Sequence, residues 1–285
     1  MVRAERHVQV LFEGGAFFEG PRWHEGRWWV SDMHQRLVRA IAPDGSVEEV
    51  LTVEGRPSGL GWLPDGSLLV VSMVDRRLLR RAPDGTVSVH AELGDLCTGD
   101  ANDLVVDAAG RAYVGNFGFR FQQEEPRPAA LVRVDPDGRA AVAAEDLMFP
   151  NGAVITEDGA TLIVGETYGA RYTAFTIGAD GSLSDRRVWA ELEGFYPDGC
   201  CLDAEGCIWS ADARSSRCAR VAPGGEIADE VHVPEGQRCF ACMLGGEDGR
   251  TLLLCGAPES GAAREGKTDA ALYVTRVDVP HGGRP

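Results

Sequence analysis

The 285-residue chain has only three asparagines, Asn102, Asn116 and Asn151, and no apolar run near the ~20 residues that a membrane-crossing helix needs. It is short of positive charge. Lysine and arginine total 28 against 44 acidic residues, a formal net charge of −16. That balance argues against nucleic acid or anionic membrane as a partner, because both require a basic patch. The start, MVRAERHVQVLF, lacks the apolar core of a signal peptide, and the chain reads as cytoplasmic. Familiar catalytic signatures are also missing. There is no GxSxG elbow, no P-loop and no strand-GxGxxG-helix unit, and Asp100, His90 and Ser88 are neighbours in sequence only. Eight cysteines are irregularly spaced, with Cys239 and Cys242 forming one CxxC and no second pair at zinc-like spacing. They read as buried free thiols, which pack as small hydrophobes.

What the chain has in quantity is glycine, 36 residues set in recurring turns. Six short anchors carry the recurrence: Glu19-Gly20-Pro21, Ser58-Gly59-Leu60, Asn102-Asp103-Leu104, Asn151-Gly152-Ala153, Asp198-Gly199-Cys200 and Ala241-Cys242-Met243. Their spacings are 39, 44, 49, 47 and 43 residues, and a turn glycine follows eight residues after five of them and seven after the first. Such turns between apolar runs are hairpin signals. A second apolar strand follows each turn (RWWVSD, SLLVVS, RAYVGN, TLIVGE, CIWSAD, TLLLCG), and in most repeats a third strand leads to a further Asp-Gly or Gly-Gly turn. Four short strands in 40 to 50 residues is the period of a propeller blade.

The expected fold is therefore all-β, a six-bladed propeller spanning 1–285. The leading strand His7 to Phe12 joins the last blade beside Ala271 to Val279 and so removes an open edge. A two-domain sandwich is the alternative. Inner strands of a propeller line its channel, so the anchor column Glu19, Ser58, Asn102, Asn151, Asp198 and Ala241 would face one axis. Four of these six residues offer a carboxylate or amide oxygen, the donors a hard divalent cation takes. No histidine stands in the column, which disfavours zinc and copper. Turn formation alone also explains Asn-Gly and Asp-Gly pairs taken one at a time; it is the column in phase that points to metal.

With that column in view, the sequence resembles the senescence-marker-protein, gluconolactonase and luciferin-regenerating-enzyme family over essentially its whole length. The matching stretches are EGPRW, PSGLGWLPDG, ANDLVVDAAGRAYVGNFG, PNGAVITEDGATLIVGET, YPDGCCLDAEGCIWSAD and CFACMLGGEDGRTL, in that order from Glu19 to Leu252. The resemblance implies a six-bladed propeller with one divalent cation in its channel, usually calcium, with zinc, manganese or magnesium as substitutes. It implies lactone hydrolysis, with organophosphate esters taken by a related branch. Glu19, Asn102, Asn151 and Asp198 match the family's metal ligands. One position departs: sugar-lactone members carry an arginine two residues before Asn102, and here that residue is Asp100. A carboxylate cannot donate the same hydrogen bonds, which counts against an aldonolactone.

The expected function is thus a metal-dependent lactonase acting on a small molecule. The alternatives are a phosphotriesterase-like hydrolase and a non-catalytic calcium-stabilised propeller that binds a small molecule or a protein. Asp198 is the expected general base, and Asp103 a substitute base, a group behind a ligand or a turn residue. Expected substrate contacts are Asp100, Asn102, His34, Phe119, Tyr168 and Arg214; a lone histidine such as His34 is more often a packing residue. The segments Phe121 to Pro128 and Ser260 to Ala271 read as exposed loops, with a lid over the site as the alternative for either.

Overall fold

All six repeat glycines, Gly26, Gly66, Gly110, Gly159, Gly206 and Gly249, adopt positive φ between +69° and +83°, the conformation a tight hairpin turn asks of them. In the computed structural model, which describes residues 6–285, each of these turns joins the first two strands of one repeat, and the described residues form twenty-four strands in all, β1 to β24 in chain order. The strands form six four-stranded antiparallel sheets. Two short 3-10 turns are the only helical elements among the described residues, and none is long and apolar enough to cross a membrane.

The first strand of each repeat is innermost. These are β2 (Phe18–His24), β6 (Pro57–Trp62), β10 (Ala101–Val106), β14 (Pro150–Ile155), β18 (Pro197–Leu202) and β22 (Arg238–Gly245). Each packs against the next, and β22 returns to β2, so the ring is closed. The inner strands β10, β14 and β18 are buried at every residue, whereas the fourth strand of the first blade, Val47–Thr52, is mostly exposed. The apolar core lies between neighbouring blades. Val154 and Ile163 of the fourth blade, for example, join Leu202 and Ile208 of the fifth in one cluster.

Closure is by the predicted strand with shifted bounds. β1 (Gln9–Gly15) pairs antiparallel with β24 (Ala270–Arg276), and the sixth sheet runs β1-β24-β23-β22 with β23 at Thr251–Ala257. The ring replaces the sandwich alternative. Beyond β24, the segment to Pro285 bridges Ile155 and Asp203, at the ends of β14 and β18 remote from Asn151 and Asp198. All eight cysteines are buried and free.

Candidate active site

Every inner strand breaks register at its anchor. The ladder shifts between Glu19 and Arg22, Pro57 and Leu60, Ala101 and Leu104, Pro150 and Ala153, Pro197 and Cys200, and Cys239 and Ala241. A bulge re-aims the side chain it carries, and four of the six anchors, Glu19, Asn102, Asn151 and Asp198, reach one cavity, while Ser58 and Ala241 are buried and do not line it. Glycine follows four anchors because the strands are too close there for a side chain. A Cβ on Gly59 would stand 2.5 Å from the Leu104 nitrogen, and one on Gly152 would strike the Asp198 carbonyl.

Glu19, Asn102, Asn151 and Asp198 line a common cavity of about 870 Å³ while remaining only 5–7% exposed. Asn151 Nδ2 donates to Asp198 Oδ1 at 2.5 Å and to Thr167 Oγ1 at 3.0 Å. The Thr167 hydroxyl in turn donates to the Pro197 carbonyl at 2.7 Å. Both amide protons of Asn151 are thereby committed, and its Oδ1 has no partner among the described residues. Ser58 Oγ donates to Asn102 Oδ1 at 3.3 Å. Burial, then the negative charges of Asp198 and Asp103, holds the Glu19 carboxyl well above its ordinary range. Burial likewise pushes Asp198 up, against the Asn151 hydrogen bond. Two buried carboxyls facing each other favour a proton or a cation between them.

Asp103 is elsewhere. Its side chain is absent from the cavity wall and accepts from Arg22 Nη2 at 2.7 Å, both residues being 4% exposed. Arg22 also donates to the carbonyls of Leu60, Pro21 and Leu104, and so lies across β2, β6 and β10 beyond the anchors. The sequence expectation of Asp103 as a base meets a carboxylate already committed to that guanidinium.

The other expected contacts, Asp100, Asn102, His34, Phe119, Tyr168 and Arg214, all line the cavity. His34 is buried, its Nδ1 lies 3.2 Å from Glu265 Oε2, and burial lowers its pKa. Burial raises that of Asp100, opposed by Arg56 and Arg76. Arg214 lies over the Tyr196 ring at 3.7 Å. Of the two readings of these segments, exposed loop or cover over the site, the structure favours the second: both form part of the cavity wall, through Phe121 to Glu124 and through Ser260 to Ala262. They meet: a Cβ on Gly261 would stand 2.8 Å from Gln122 Oε1. The second strap is held from beneath by buried Arg264, which donates to the Ala16 carbonyl and pairs with Asp269, and by Glu265, which accepts from Arg56 at 3.1 Å.

Two features were missed in the sequence. The residues two positions before five of the anchors, Phe17, Arg56, Asp100, Phe149 and Tyr196, form a second ring on the cavity wall. The acids ending the second strands clasp the chain as it enters the inner strand. Asp32 accepts from the Ala16 and Phe17 nitrogens, Glu166 from Met148, and Asp212 from Tyr196. Each is paired with an arginine, Arg39, Arg171 or Arg217. Both columns were visible at fixed offsets from the anchors.

Residues 17–257 match the model of the SMP-30/gluconolactonase/LRE-like region. The chain belongs to that family. Among family relatives, a 6-deoxy-6-sulfogluconolactonase of Pseudomonas putida is 28% identical over 293 residues, 97% of this chain and 96% of that one. A pentonolactonase of Haloferax volcanii is 27% identical, covering 94% of this chain and 92% of its own. The solved structure of regucalcin from Agrobacterium tumefaciens, described as a calcium-binding protein, superposes with a TM-score of 0.82 at 22% identity over 99% of both chains. At that identity the superposition speaks for the six-bladed propeller fold alone.

Proposed function

We propose that this family member is a lactonase, hydrolysing a cyclic ester at the oxygen-lined level of its channel with the help of a hard divalent cation, calcium foremost. The observation that carries the reading is the convergence of Glu19, Asn102, Asn151 and Asp198 on one cavity. Two relatives named as lactonases and a fold neighbour described as calcium-binding support it.

The donors fit such a cation. They are all oxygens, their two carboxylates match a double positive charge, and the Asn151 Oδ1 is unspent. Among the described residues no three of His, Cys, Asp and Glu converge as a metal cluster, so a cation here would draw on amide oxygens, which suits calcium better than zinc. When bound, the cation would supply positive charge where the carbonyl oxygen becomes negative. The chain's own groups do the rest. Asn151 orients Asp198 through Oδ1, and the other carboxylate oxygen, free of protein partners, is assigned to accept the proton of the attacking water. Asp103, bound to Arg22, is assigned to hold the inner strands in place.

The test is a pH-indicator assay over lactones with added calcium, with chelator, and with Asn151→Ala and Asp198→Asn. Turnover that needs the cation and drops about 100-fold or more in either variant supports the reading. Full activity in chelator and in Asn151→Ala would sink it.

A further inference from the structure

The oxygen-lined level accounts for the chemistry and leaves the wall above it unexplained. Along one side of that wall six rings touch in sequence. Phe121 meets Phe117 at 5.5 Å, Phe117 stacks on Phe149 at 4.3 Å, and Phe149 reaches Tyr168 at 5.5 Å and Phe119 at 5.9 Å. Tyr168 then meets Tyr196 edge-on at 6.4 Å. Phe117, Phe119 and Phe121 lie on the loop between Asn116 and Ala129, outside the sheets; Phe119 is buried and Phe117 also packs against the apolar core, whereas Phe121 stands outside it. Phe117, Phe121, Tyr168 and Tyr196 are only half-buried, their open faces turned to the cavity. Phe149 is held at φ +62°, a conformation a bulky side chain avoids and one that persists at sites where surroundings over-determine it.

Several polar groups of the cavity are spent, although among the described residues the Arg214 guanidinium and the Tyr168 and Tyr196 hydroxyls make no side-chain hydrogen bond. His34 and Arg56 are bonded to Glu265, Arg120 to Glu124, and Thr167 to Asn151 and the Pro197 carbonyl. Among the described residues the Asp100 carboxylate, on the same cavity, has no hydrogen-bond partner. A polyhydroxylated lactone brings several hydroxyls, and each one buried without a partner costs affinity. A lactone with a flat or branched apolar substituent brings none and gains from aromatic contact.

Building on the lactonase reading, we propose that the substrate is a lactone bearing an alkyl or aryl substituent, with the ester at the oxygen-lined level and the substituent on the Phe121–Tyr196 wall. Phe117, Phe149 and Tyr196 are then residues that set specificity.

The experiment compares kcat/KM for four lactones with the full-length protein: δ-gluconolactone, unsubstituted δ-valerolactone, δ-decalactone and 3,4-dihydrocoumarin. The expected result is a preference of at least about 10-fold for the two substituted lactones over δ-valerolactone, and more over δ-gluconolactone. Phe117→Ala and, separately, Phe121→Ala should each narrow the decalactone-to-valerolactone ratio by about 10-fold, mainly through KM. Equal or better turnover of δ-gluconolactone overturns the wall assignment and leaves the lactonase reading standing. So does a ratio unmoved in both variants while both melt as the parent does. No turnover of any of the four overturns the lactonase reading, and this inference with it.

Discussion

Thr167 sits between two parts of the site, taking one amide proton of Asn151 and giving its own to the Pro197 carbonyl. Thr167→Val keeps the shape and removes both bonds. The expected cost is about 1–3 kcal/mol of stability, together with weaker binding of a calcium surrogate such as terbium followed by luminescence. Thr167→Ser should restore both. The pair Arg22 and Asp103 is a harsher case, since losing one partner strands a buried charge. Arg22→Met should cost on the order of 3–5 kcal/mol in urea unfolding, and the double variant Arg22→Met/Asp103→Leu less than the single. At this scale the sequence was legible wherever the repeat gave a residue five counterparts. Glu19, Asn102, Asn151 and Asp198 were found that way, and Phe149 and Tyr196 stood at an equally regular offset. Asp103 was not legible, because its partner is 81 residues away, two blades distant, and no spacing records a contact made across the ring.

A strand here does two jobs, pairing with its sheet and approaching its neighbour across the ring, and the anchor glycines reconcile them. Gly59→Ala should destabilise by about 1–3 kcal/mol through overpacking against Leu104, read from thermal melts, and Gly152→Ala should displace Asp198 and also lower activity. The clasp at the end of the fourth blade's second strand gives a pH test. Burial works to raise the Glu166 pKa, but the Arg171 guanidinium, the Met148 nitrogen and the Thr173 hydroxyl hold it below its ordinary value. The folded state thus binds that proton less readily than the unfolded chain. Its stabilisation is complete above the ordinary glutamate pKa of about 4.3 and fades as pH falls below it. Glu166→Gln should cost on the order of 2 kcal/mol at pH 7, with the gap to the parent closing in urea titrations toward pH 3. Element existence was readable from turns and alternation. The bounds were less so: the closing strand expected at His7 to Phe12 runs Gln9–Gly15, because pairing with β24, not local pattern, decides where it stops.

The whole ring depends on its two chain ends meeting. β1 is an outer strand of the sixth blade, and Thr275 Oγ1 donates to the His7 carbonyl at 3.0 Å just before that strand begins. Removing residues up to Gly15 bares the edge of β24. The expected outcome is a lower melting midpoint and concentration-dependent association, followed by light scattering, because an uncovered strand edge recruits other chains. Fold class was the most legible property of all, since a period repeated six times averages out the uncertainty of any one strand. The wall of aromatic rings was legible in part: Phe117 and Phe119 read from the sequence as a candidate apolar wall or as core, and Tyr168 as a contact, while Phe121, on a loop that obeys no period, reads only as part of an exposed loop or lid.

Arg22 reaches from β2 to β6 and β10 beyond the anchors, and a guanidinium spanning the inner strands there is expected to stopper the central passage and leave the cavity one doorway. In a hydrolase built this way the ring-opened hydroxy acid must retreat along the path its precursor entered. Product and substrate then contend for one threshold, and progress curves should slow in the manner of competitive product inhibition well before the lactone is exhausted.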